Sequence, residues 1–195
     1  MATLTPAQVE AVLEFWFGGS DDASLAAPRE AWFRRDEAFD AAIRQRFAPL
    51  CRQLADGELE MADGDARAAL AWLLAADQFP RNLFRGEARA FACDAAARQG
   101  APRALEQGLD GGLPAVARIF LYLPFEHSES LADQELSLRL FEALDAEAGG
   151  NYLDYARRHH QVIARFGRFP HRNAALGRSS SAAELEYLAA PGAGF

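Results

Sequence analysis

Lysine is absent from this chain, whose twenty basic residues are all arginine. That excludes a P-loop lysine and a Schiff-base lysine, and leaves bidentate gripping of carboxylate or phosphate by guanidinium groups available. Cysteine is scarce. Cys51 and Cys93 lie far apart with no C-x-x-C between them, and the opening Met1-Ala2-Thr3-Leu4-Thr5-Pro6 lacks the basic and apolar regions of a signal peptide, so a cytoplasmic location is expected. No apolar run approaches the roughly 20 residues that span a bilayer, since even Ile119 to Phe125 is short and meets Glu126. A basic surplus is missing too. The formal charge of −8 argues against nucleic acid and anionic membranes as partners, because both bind mainly through positive surface.

What is present fits one domain over residues 1–195, half apolar and a quarter charged, enough for one well-buried core. Every periodic segment follows helical spacing and none alternates like a strand, so the fold expected is all-α, with seven or eight helices in an array or bundle. Thr5-Pro6 with Gln8 opens the first helix as a capping box, and Val9, Val12, Leu13 and Trp16 form its apolar stripe up to Gly18-Gly19. A second helix carries Phe39, Ile43, Phe47, Leu50, Cys51 and Leu54, with Pro49 expected to kink or break it. The third starts at Asp65 and is expected to stop near Gln78, because a residue before proline avoids the α region. That puts Asp77 in a last turn, against the negative end of the helix dipole.

The remaining expected helices run from Glu87 to Gln99, ending at Gly100, and from Pro114 to Pro124. A sixth follows a Ser130–Asp133 capping box, with Leu131, Leu138, Phe141 and Leu144 inward. A seventh is capped by Asn151, with Tyr152, Tyr155, His159, Ile163 and Phe166 on one face. A last one follows Ser181 and Glu184, before a Pro-Gly tail from about residue 190 that is expected to be mobile.

Three polar phrases stand out from this frame. Asp77-Gln78-Phe79-Pro80-Arg81-Asn82 and Arg168-Phe169-Pro170-His171-Arg172-Asn173 nearly repeat each other, and Leu123-Pro124-Phe125-Glu126-His127-Ser128-Glu129 lies between them. Each sets charged side chains beside a proline, so three chain breaks are expected to aim polar groups at one place. The candidate binding residues are therefore Asp77, Arg81, Asn82, Glu126, His127, Glu129, Arg168, His171, Arg172 and Asn173. Arginines would hold an anion and His127 or His171 would carry a proton, its pKa raised by a neighbouring carboxylate.

Plainer readings stand beside this one. Pro, Arg and Asn also serve to end helices. Glu126, His127, Glu129, His159 and His171 include metal-ligand types at spacings that single out no metal, and none is assigned; no cofactor is indicated either. Ser128 beside His127 lacks the G-x-S-x-G context of a nucleophile. From Tyr155 to Ala183 there is no acid, while six arginines fall there; a solvated face with internal arginine pairs is expected rather than an RNA surface.

The three phrases, with Val12-Leu13-Glu14-Phe15-Trp16-Phe17-Gly18 and Trp32-Phe33, resemble a bacterial family, domain of unknown function 924. Met61 and Ala183 depart from its pattern. The resemblance implies an all-helical fold similar to tetratricopeptide-repeat proteins and no established activity. The residues themselves leave two expectations: a polar Arg/His/carboxylate pocket at the three phrases for a small anionic metabolite or a peptide carboxylate, or a tetratricopeptide-like interaction scaffold without catalysis.

Overall fold

The computed structural model describes residues 1–194, and among them all regular structure is helical. The helices are α1 (Pro6–Phe17), α2 (Asp22–Leu25), α3 (Glu37–Ala55), α4 (Ala66–Leu73), a π-helical turn (Leu74–Gln78), α5 (Phe79–Leu83), α6 (Asp94–Glu106), α7 (Ala115–Glu126), α8 (Leu131–Ala148), α9 (Tyr152–Phe166) and α10 (Ala182–Leu188). Short 3₁₀ turns at Glu30–Trp32, Ala88–Phe91, Leu109–Gly112 and Pro170–Arg172 join them. The fold is all-α. A lone bridge between Ala2 and Leu59 is the sole extended pairing among the described residues.

Aromatic side chains at helical spacing build the core. Trp16 of α1 meets Trp32, Phe79 and Phe120 at ring separations of 6.2, 5.7 and 5.4 Å, fastening the first helix to α5 and α7. A smaller cluster of Val162, Ile163 and Phe169, with Phe166 and Tyr187 against it, sits beneath α10. The helical stripes predict Trp16, Leu73, Ile119, Leu123, Phe141, Ile163 and Phe166 as core; the first six are buried, while Phe166 is only half-buried at the edge of the smaller cluster. Both outer capping boxes, Thr5–Gln8 and Ser181–Glu184, are formed.

Several expected boundaries are overturned, and prolines explain most of them. Pro80 does not end the third helix: the chain opens into the π turn, in which the Phe79 N–H reaches back to Leu74 O, so the wider turn makes room for the proline ring and the helix runs on through α5. Asp77 is thus buried in mid-helix rather than placed in a last turn. Pro49 and Pro124 lie inside α3 and α7, and α7 continues to Glu126. The helix expected over Glu87–Gln99 is a 3₁₀ turn followed by α6, which passes through Gly100 and Pro102. Gly100 is a contact, not a stop: a Cβ there would sit 2.7 Å from Cζ3 of Trp72.

Two expected caps are replaced. Ser130 makes no side-chain cap, because Asp133 accepts from Ser128 Oγ at 2.6 Å. Asn151 makes none either; the Asp145 carboxylate accepts from the N–H groups of Tyr152 and Leu153 at 3.2 and 2.9 Å. Gln134 and Ser137, with Phe141 and Leu144, form the buried face of α8, whereas Leu131 is exposed. Tyr155 faces solvent, while His159 one turn later is buried. The tail is a turn that brings Gly194 against the His171 ring.

Candidate functional site

The π turn sets the site's geometry, because the extra residue in its wider loop rotates Asp77 onto the end of α7. There both carboxylate oxygens of Asp77 stand 2.9 Å from Nδ1 of His127. Asp77 also accepts from Gln78 Nε2 at 2.6 Å and faces Arg81 at 3.3 Å. Arg81 donates to both oxygens of Asp94, at 2.9 and 3.1 Å, and Arg172 donates to the same carboxylate at 3.2 Å and to the His127 carbonyl at 2.9 Å. The Phe91 ring packs under both guanidinium groups, 5.8 Å from Arg81 and 4.8 Å from Arg172. Residues from all three phrases therefore meet, tied by Asp94.

Gln134 holds the end of α7 in place. Its amide donates to the carbonyls of Glu126 and Ser128 at 2.6 and 2.7 Å, which satisfies acceptors that a helix terminus leaves open. Glu126 and His127 are thereby fixed in the last turn and its cap. Glu126 points inward, with Oε1 3.2 Å from His159 Nδ1, whose proton also faces the Tyr155 carbonyl at 2.9 Å. His159, Phe169 and His171 follow as a run of rings 5.6 and 5.5 Å apart.

Burial decides the protonation states. Glu126 is pushed up to about 8, first by loss of water and then by the nearby Asp77 charge, so it is a neutral acid at neutral pH. Burial lowers His127 below the usual histidine value despite Asp77, with Arg81 and Arg172 adding to the effect. The expected rise in a site histidine's pKa is thus reversed. Desolvation brings His159 to about 3 and His171 to about 4, and Arg172 to about 10. Asp77 stays ionised, since Arg81 and His127 outweigh its burial. Two carboxylates and two guanidinium groups then balance, and all three histidines are neutral.

Not every candidate joins this cluster. Asn82 lies on the other flank of α5, donating to Asp40 at 2.7 Å, where Arg85 makes a bidentate pair with the same carboxylate. Arg168 is spent on Glu184 at 2.6 and 2.8 Å. Glu129 accepts from Phe169 N–H and from both terminal nitrogens of Arg178, whose Nε donates to Asn173. These four residues lock loops beside the cluster rather than enter it. Arg81 and Arg172, expected to offer free donors to an anion, are engaged by Asp94. Ser128 is turned to Asp133, away from a nucleophile's position. Among the described residues no three His, Cys, Asp or Glu side chains gather as a metal site.

Sequence reasoning missed Asp94, Phe91 and Gln134. Asp94 and Phe91 sit in a stretch read as ordinary helix, and Gln134 occupies an apolar-face position whose polarity was the signal to follow.

No helix among the described residues is long and apolar enough to cross a membrane. The family model described as "Bacterial protein of unknown function (DUF924)" matches residues 12–192. The chain is similar to a solved protein of unknown function, ATU0120 from Agrobacterium tumefaciens: 38% identical, with 95% of this chain and 99% of that chain covered, at a TM-score of 0.80. No curated protein matches.

Proposed function

Since the chain belongs to this family of bacterial proteins of unknown function, its activity has to be read from its own residues, and we propose that it is a small-molecule enzyme whose working atom is Nε2 of His127. The observation that carries this reading is the buried Asp77 carboxylate facing His127 Nδ1 with both oxygens. A carboxylate only accepts, so Nδ1 keeps the proton and Nε2 keeps its lone pair; the same carboxylate stabilises the imidazolium when Nε2 takes a proton. Glu126, protonated at neutral pH, is turned inward to His159 and adds no second negative charge to the site. A neutral imidazole oriented by an ionised carboxylate is a base suited to proton transfer at neutral pH.

The reaction class is general-base chemistry on water or on a ligand's own proton. Covalent catalysis has no support, because Ser128 is committed to Asp133 and burial pushes the Cys93 thiol up to about 11. The ligand is a small metabolite or peptide carboxylate whose anionic group competes with Asp94 for Arg81 and Arg172. Asp94, Arg81 and His127 side chains are 20%, 19% and 16% exposed, which makes a partly open wall.

The test is a thermal-shift screen of carboxylated and phosphorylated metabolites and short peptides, repeated with His127→Gln and Arg168→Gln. A ligand that stabilises the wild type and Arg168→Gln but not folded His127→Gln supports the reading. If every hit survives His127→Gln, the site is wrong. If no small molecule stabilises the wild type, the interaction scaffold takes over, a reading favoured by the charges of Arg85, Arg168 and Arg178 being spent on joining elements.

A further inference from the structure

The six arginines of the acid-free stretch are not used alike. Arg168, Arg172 and Arg178 reach Glu184, Asp94 and Glu129, all outside the stretch or beyond its end. Arg158 and Arg165 remain at the surface of α9, two turns apart on one face. Together with Gln161, Val162, Phe166 and Tyr187 they line a cleft of about 320 Å³ between α9 and α10, and among the described residues no carboxylate side chain lines it. Arg158 has only a loose pairing with Asp154, at 3.7 Å with both side chains well exposed. Arg165 lies over the Phe166 ring at 4.7 Å, and no hydrogen bond or ion pair engages its guanidinium among the described residues.

The chemistry of this cleft differs from that of the His127 cluster. Among the described residues its positive charge meets only the loose, exposed Asp154 pairing, whereas in the cluster it is balanced by buried carboxylates. Phe166 and Tyr187, with ring centroids 5.4 Å apart, are half-buried and present aromatic surface beside the arginines. The volume sits at the lower end of the roughly 300 to 1,000 Å³ usual for small-molecule sites, which suits one small ligand such as a mononucleotide. Helical rise puts the Cα atoms of Arg158 and Arg165 about 10.5 Å apart, a span that two arginine side chains can close around one phosphate.

We propose that the α9–α10 cleft binds a nucleoside monophosphate, its base against Tyr187 and Phe166 and its phosphate between Arg158 and Arg165. Aromatic rings stack on any base, and guanidinium groups match phosphate geometry in bidentate fashion. The site is independent of His127, which lies at the end of α7 in the other cluster.

The experiment is titration calorimetry of the whole chain with AMP, with adenosine and inorganic phosphate as separate arms. Saturable AMP binding is expected, with each fragment at least about tenfold weaker, as loss of one charged hydrogen bond or of the stacking face implies. Arg158→Gln and Arg165→Gln, both at exposed positions, should each weaken AMP about tenfold, Tyr187→Leu should weaken it too, and His127→Gln should leave it unchanged. The proposal is overturned if AMP and GMP show no saturable binding up to about 10 mM. It is also overturned if phosphate alone binds as well as AMP, or if neither arginine substitution matters.

Discussion

Nδ1 of His127 lies 2.9 Å from both oxygens of Asp77, a residue fifty positions earlier in the chain, and this contact pins the end of α7 to the π turn. It fixes a tautomer as well as a position.

Replacing Asp77 by Asn should reverse that tautomer, because an amide group can donate to Nδ1 and so favours the proton on Nε2. The ¹⁵N shifts of the His127 ring, read in a long-range proton–nitrogen spectrum, should exchange between the two nitrogens. Stability should also fall by about 1 to 3 kcal/mol, since Arg81 loses one of two counter-charges while keeping Asp94; an unchanged ring spectrum in a folded variant would remove the oriented-base reading.

Stability should peak close to neutral pH, with separate causes on the two sides. For Glu126 the folded pKa is raised, to about 8, so the unfolded chain loses its proton first and stability declines as pH rises from about 4.5 towards 8. For His159 and His171 the folded values are lowered, to about 3 and 4; the unfolded chain takes up protons first, and stability declines as pH falls below about 6.5. Glu126→Gln should abolish the alkaline decline, gaining about 1 to 3 kcal/mol relative to wild type between pH 5 and pH 8. Denaturant unfolding across that range decides it.

Gly100→Ala should cost about 1 to 3 kcal/mol, as an added methyl would meet the Trp72 ring at 2.7 Å. Helix propensity alone predicts the opposite sign. A thermal melt showing the variant more stable than wild type would mean that Trp72 moves aside freely.

At the start of α9, Asp145→Ala should cost about 1 kcal/mol and Asn151→Ala much less, because the cap is made by Asp145 across the turn. Equal losses in urea melts would contradict the assignment.

The sequence made the helices and the meeting of the phrases legible, for physical reasons. Trp16, Phe141 and Ile163 recur with the period of a buried stripe, and the shared polar content of Asp77–Asn82 and Arg168–Asn173 exceeds what helix ends need. Proline and glycine are the first source of error: read as stops, Pro80 is accommodated by a widened turn, Pro124 lies inside α7 and Gly100 is a close contact. Charge partners were the other blind spot. Asp94 and Glu184 decide which arginines are available, and no local pattern announces a residue seventy-eight positions from Arg172.

The π turn has a consequence for how this cluster can be gained or lost. A regular helix advances about 100° per residue, and the turn holds one residue more than a regular helix would use. Deleting one residue between Leu74 and Gln78 would restore ordinary winding while turning everything upstream about 100° relative to α5. Asp77 cannot then face His127 while Phe79 keeps its place among Trp16 and Phe47. The pairing is written in the spacing of the chain as much as in its letters, so an alignment gap at this turn in a relative marks a molecule without the dyad even where both letters survive.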